Sequence, residues 1–247
     1  MIKVVKDLTI VPISLEDDKT LRRRNTCIKD EKYHQKNDFH QRFKQADVKE
    51  ALKKIYYGKC AFCEQKISIC TNNLLEDCSS TVEHYRPKSH YYWLAYSWDN
   101  LLWCCHRCNQ NKANNFELLG TPVVYHKDFI TAIHTSTCDY QAVEQPKMIH
   151  PELESVLDKV NFGQGVMASE DERLNYTIRK CGLARSDLNE KRKKVIDDFV
   201  KKMNDVILAK QPKETIIKQL LDEFKDHESE FRALRYWILR NVNALVS

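Results

Sequence analysis

The sequence predicts an α+β protein: a small strand–strand–helix unit stapled by a tetrathiolate metal site and embedded in a mostly helical chain. Three observations predict it. Two cysteine pairs, Cys60-Ala61-Phe62-Cys63 and Cys105-His106-Arg107-Cys108, stand at CxxC spacing. Forty-one residues separate Cys63 from Cys105, more than a simple zinc ribbon needs, so something of domain scale lies between the two claws. In the second half, apolar residues recur at helical spacing, as in Leu188, Val195, Ile196, Phe199 and Met203.

The elements follow in three stretches. Residues 1–45 form an N-terminal charged segment, with Leu21-Arg22-Arg23-Arg24 reading as a solvated charge run more readily than as a phosphate contact. Residues 46–116 open with a helix through Val48, Ala51, Leu52 and Ile55. The first claw follows, with Gly58 two residues ahead of Cys60 to allow a tight loop. Thr81 to His84 reads as a strand, the neighbourhood of Asn100 as the hairpin return, and Asn109 to Phe116 as a helix. The rings after Lys88 (Tyr91, Tyr92, Trp93, Tyr96, Trp98, Trp103) read as a small core under the hairpin. Residues 117–247 form a helical region. Asp187 and Glu190 suit a capping-box-like start, Pro212 breaks the run, and two further stripes follow, through Leu220 and through Trp237. One of these stripes can serve as a docking face for a partner.

The chain of 247 residues carries 40 basic and 35 acidic residues, a net +5. That bias permits nucleic-acid binding without announcing it. The start has no apolar leader and no apolar run approaches a membrane span, so a cytoplasmic chain with no membrane partner is expected. Reduced thiols suit that compartment. Of the ten cysteines, four read as ligands and six (Cys27, Cys70, Cys78, Cys104, Cys138, Cys181) as free thiols. Cys105 is preferred over the adjacent Cys104 because it restores the CxxC spacing. With five glycines there is no phosphate-binding glycine loop, and ATP hydrolysis by this chain is not expected.

Cys60, Cys63, Cys105 and Cys108 together supply a closed tetrahedral set for structural zinc. The segment between them carries the candidate chemistry. Phosphodiester hydrolysis needs an activated water and stabilisation of developing negative charge. One neutral imidazole and one divalent cation can provide both. His84, beside Glu83, is the candidate base. Glu83 and Asn109 offer hard oxygen ligands for a catalytic Mg2+ or Mn2+. Asn100 can hold two backbone segments of the hairpin loop and orient the imidazole. Lys112 falls three residues after Asn109, on the same helical face, where a phosphate contact is expected. Arg86, Lys88 and Arg107 add positive charge nearby. This constellation is the pattern of a zinc-supported HNH endonuclease, a ββα-metal nuclease.

The string Cys60 to Glu64, Glu83-His84-Tyr85-Arg86-Pro87-Lys88-Ser89, Tyr96 to Leu102, and Cys105 to Lys112 resembles the HNH nuclease subunit family of the Septu anti-phage systems (PtuB) and related effectors carried by some retrons. Weaker likeness extends to Met1–Lys6, His150-Pro151-Glu152, Phe162-Gly163, Thr177-Ile178 and Gly182-Leu183. Phe62 replaces the usual tyrosine, and His150 stands where an asparagine or aspartate often precedes Pro-Glu. The resemblance implies an effector of prokaryotic defence acting on nucleic acid, with an ATPase partner subunit (PtuA-like). In retron versions a reverse transcriptase and its DNA–RNA product join the complex. Two rivals are a stand-alone HNH restriction-type endonuclease and a zinc-knuckle nucleic-acid-binding module whose catalytic centre has decayed.

Overall fold

The computed structural model describes residues 1–34, 41–67 and 80–246. Cys70 and Cys78, read above as free thiols, lie outside the described residues. The N-terminal stretch forms α1 (Ile13–Glu16) and α2 (Asp18–Lys29). Asp17 caps α2 by accepting from the Thr20 amide at 2.8 Å, which satisfies one of the orphan donors of a helix start. A 3-10 turn, Arg42–Lys44, leads into α3 (Ala46–Ile55). The stripe expected for α3 is the observed one, with Val48 and Leu52 fully buried.

After α3 the chain reverses at Gly58, whose φ of +68° is a conformation that side chains resist. The loop closes on itself through a bridge between Lys59 and Lys66. Strands β1 (Ser80–His84) and β2 (Leu101–Cys105) then pair antiparallel, with Val82 opposite Trp103 and His84 opposite Leu101. Helix α4 (His106–Lys112) follows β2 directly. The helix expected over 109–116 thus starts three residues earlier and stops at Lys112. Ala113 ends it by turning to a φ of +43°, the left-handed region where a helix does not continue.

Helix α5 (Thr137–Glu144) packs behind the loop that joins the strands, and its first amide, from Thr137, donates to Asp99 at 2.7 Å. Helices α6 (Glu172–Lys180), α7 (Ser186–Leu208), α8 (Glu214–Lys225), α9 (Arg232–Arg240) and α10 (Val242–Leu245) complete the chain. The capping box expected at α7 does not form. Arg185 is its N-cap residue and gives no side-chain cap, while Asp187 is taken by Arg185 at 3.0 Å and Arg107 at 3.3 Å. Pro212 falls between α7 and α8, as its missing amide requires.

One continuous core joins all three stretches, drawing on Met1 and Leu15, on Leu52, Tyr96 and Trp98, and on Leu174, Leu188 and Leu234. The rings after Lys88 belong to this core or to a satellite around Trp93, and Tyr96 and Trp98 are fully buried. The arginine triplet departs from expectation. Arg23 and Arg24 are buried, and Arg24 donates to the Tyr96 carbonyl at 3.2 Å. Burial lowers the Arg24 guanidinium to about 10. Sequence reasoning missed this because the helical period turns two adjacent arginines inward while Leu21 and Arg22 stay exposed. No helix among the described residues is long and apolar enough to cross a membrane. The fold is therefore helix-dominated α+β, with a two-stranded sheet and a four-cysteine cluster.

Candidate functional site

The four expected zinc ligands meet. The sulfurs of Cys60, Cys63, Cys105 and Cys108 lie within 4.8 Å of one another, and all four residues are buried. Cys60 and Cys63 come from the loop after α3, Cys105 from the end of β2, and Cys108 from the first turn of α4. A tetrahedral set with zinc–sulfur bonds of about 2.3 Å places its sulfurs roughly 3.8 Å apart. The Cys63–Cys105 separation of 3.9 Å fits that. Cys104 lies 3.7 Å from Cys60 and is buried, but it is outside the four-sulfur set. Hydrogen bonds from Cys104 and the other thiols pull the Cys105 thiol down, whereas burial pushes Cys60 up. Metal binding would release these protons, since the thiolate is the ligand. Arg185 adds a hydrogen bond to the Cys108 sulfur at 3.4 Å.

Glu64, directly after the first claw, locks the claw to distant parts of the chain. Its carboxylate accepts from the Ile2 amide at 2.8 Å and from the Ala233 amide in the first turn of α9 at 3.0 Å. Lys59 donates to the carbonyl of Ser229 at 2.8 Å. The C-terminal helices thus brace the claw, a link that no local motif discloses.

Beside the cysteines, β1 carries Glu83 and His84. Thr81 and Glu83 engage α4: Asn109 donates to the Thr81 hydroxyl at 2.5 Å, and Lys112 to the Glu83 carboxylate at 2.8 Å. Lys112 also donates to the His84 carbonyl at 2.8 Å and is fully buried. The ammonium is thus committed to Glu83 and to the strand backbone. The phosphate contact expected of Lys112 would require its ammonium, buried here between α4 and β1, to leave these partners. Arg86 is likewise buried, paired with Glu144 of α5 at 2.7 Å.

His84 occupies the other side of the pleat. Its Nε2 lies 2.9 Å from the Ala95 carbonyl, and the ring of Phe43 meets it edge-on at 4.5 Å between centroids. A carbonyl only accepts, so Nε2 carries the proton and Nδ1 keeps the lone pair. Burial, followed by the charge of Lys88, holds His84 well below the usual histidine range and hence neutral. Asn100 is buried at the hairpin return. Its Oδ1 accepts from the Arg86 amide at 2.8 Å, and its Nδ2 donates to the carbonyls of Arg86 at 3.1 Å and Leu94 at 3.3 Å. It therefore clips together the two ends of the loop that holds His84.

Glu83, His84 and Asn109 line one cavity of about 360 Å³, together with Lys44, Lys88 and Asn114. The donor set suits a hard divalent cation: Glu83 has a second carboxylate oxygen, and Asn109 has its amide oxygen. Lys44 and Phe43 went unrecognised in the sequence. They lie about 40 positions before His84, in a segment whose only visible signal was its charge.

No family model matches the chain. Over 136 residues it is 31% identical to a protein of Bacillus mycoides named Septu protein PtuB, a match covering 47% of this chain and 42% of that protein. The chain thus spans less than half of that relative's length. The family resemblance read from the motifs is borne out by this relationship.

Proposed function

We propose that the chain is a metal-dependent HNH endonuclease that hydrolyses phosphodiester bonds of nucleic acid, as the effector of an anti-phage defence complex with a PtuA-like ATPase. The observation that carries this reading is the convergence of a neutral histidine, a carboxylate and an asparagine amide on one cationic cavity beside a four-cysteine cluster. His84 takes a proton from the attacking water at Nδ1, and the Ala95 carbonyl fixes the tautomer that makes this nitrogen basic. Glu83 and Asn109 would hold the divalent cation, which when bound would supply Lewis-acid stabilisation of the phosphate and the departing oxygen. Asn100 keeps the loop in register, and Lys112 positions Glu83. Lys44 and Lys88 attract the phosphate backbone without reading sequence. The similarity to PtuB supports the defence setting and the ATPase partner. In a retron setting, a reverse transcriptase and its DNA–RNA product join them.

The test uses the purified chain, alone and with the neighbouring ATPase. Elemental analysis is expected to find close to one zinc per chain. Brief mild chelation stops cleavage of DNA or RNA while circular dichroism stays unchanged, and magnesium or manganese restores it. Absence of metal-dependent cleavage in every combination, with the fold intact, refutes the reading.

A further inference from the structure

A second, larger cleft of about 570 Å³ opens beside the catalytic cavity, and the exposed Asn114 lines both. The cleft wall includes His90, Tyr92, Trp93, Val124 and Tyr125. Lys88 of the catalytic cavity and His90 of the cleft are two residues apart, so the two openings are neighbours along the chain as well.

The rings are held in place. Trp93 is buried, meets Tyr92 edge-on at 5.0 Å and lies 6.1 Å from Tyr125, and its indole N–H donates to Tyr140 at 3.3 Å. Tyr92 and Tyr125 are half-buried. The charges segregate. The catalytic cavity has Lys44 and Lys88, whereas the cleft has the exposed carboxylate of Glu31 at its lining and, among the described residues, no lysine or arginine. A phosphate is attracted to the first and repelled from the second. An uncharged, flat, aromatic group suits the second, and its volume is typical of a small-ligand cleft. The Asn114 amide makes no hydrogen bond among the described residues and is placed at the junction, where it can meet polar edges.

We propose that this cleft is a nucleobase subsite: it stacks an unpaired base of the nucleic-acid strand whose phosphate lies over Lys44 and Lys88. The inference rests on the nuclease reading above and adds a substrate class, nucleic acid that is single-stranded or unpaired next to the cut. Stacking needs an exposed π-face, which a base inside a duplex does not offer.

The probe is a short single strand, DNA or RNA, carrying one 2-aminopurine, compared with the same strand in duplex, and the protein is the zinc-loaded full chain without magnesium or manganese. Wild-type protein is expected to quench the single-stranded probe and to bind it more tightly than the duplex. Tyr92→Ala and Tyr125→Ala weaken single-strand binding by roughly 5- to 100-fold and relieve quenching, in keeping with the loss of one stacked base. Tyr125→Phe, which keeps the ring, binds like wild type. Should an alanine variant fail to fold, quenching by the wild type decides alone. Equal affinity for both probes, absence of quenching, or unaltered binding by a folded alanine variant overturns the subsite. Hydrolysis is scored separately with magnesium. Cleavage without quenching sinks the subsite and leaves the nuclease, whereas quenching without cleavage under any condition sinks the nuclease reading.

Discussion

In the proposed reading His84 is the base, and burial favours its unprotonated form while a backbone carbonyl dictates which nitrogen is free. Removing a general base typically costs about 10²–10⁴ in rate. His84→Ala is therefore expected to lose cleavage by that order while zinc content and melting temperature stay close to wild type. Near-normal turnover would remove His84 from the mechanism. A different histidine contributes to acid sensitivity. His134 accepts from the Trp98 amide at 3.0 Å, and burial lowers it to about 4. Below about pH 6.5 the unfolded chain protonates this imidazole while the folded one does not. Its contribution is thus fully present above pH 6.5 and falls as pH drops towards 4. Melting temperature is expected to fall across that window, and to fall less steeply in His134→Asn, which keeps an acceptor without titrating. Parallel slopes for the two proteins would exclude His134 as a source.

Helix α4 joins the four-cysteine cluster to the candidate cavity, since it holds Cys108, Asn109 and Lys112 within two turns. Lys112 is the joint between α4 and β1. A buried carboxylate left without its counter-ion destabilises by about 3–5 kcal/mol. Lys112→Met is therefore expected to lower stability by that order in urea unfolding, and Glu83→Gln in the same chain to recover part of it. A phosphate-contacting lysine would behave otherwise, with weaker nucleic-acid binding and unchanged stability. The Arg86–Glu144 pair does for α5 what Lys112 does for α4, fixing the hairpin loop to the helix behind it.

At the scale of the whole molecule, the C-terminal helices are part of the support of the four-cysteine cluster. Glu64 binds the start of α9, and Phe231, Ala233 and Leu234 are buried in the same core as the four cysteines. A chain ending at residue 226 is expected to melt at a lower temperature and to retain less zinc than the full chain, as judged by elemental analysis after gel filtration. Full zinc retention with unchanged melting would mean that the claw folds without α9.

How much was legible depends on how local each signal is. The CxxC spacing named all four sulfurs, because two ligands on one tight loop need a fixed short separation. The adjacency of Glu83 and His84 on a strand, and the helical stripes of α3 and α7, were legible for the same reason, since short-range periodicity places those side chains. The sequence also placed Asn100 at the hairpin return, where it clips the loop. What only the tertiary structure decided is who meets whom across the chain. Lys112 became an internal counter-ion, Arg24 and Arg86 were drawn inside, and Phe43 came against His84. A cation shows no trace in its neighbours along the chain of whether a carboxylate or a carbonyl will meet it after folding. Burial and charge pairing are set by contacts between residues tens of positions apart, and one sequence carries no period that reports them.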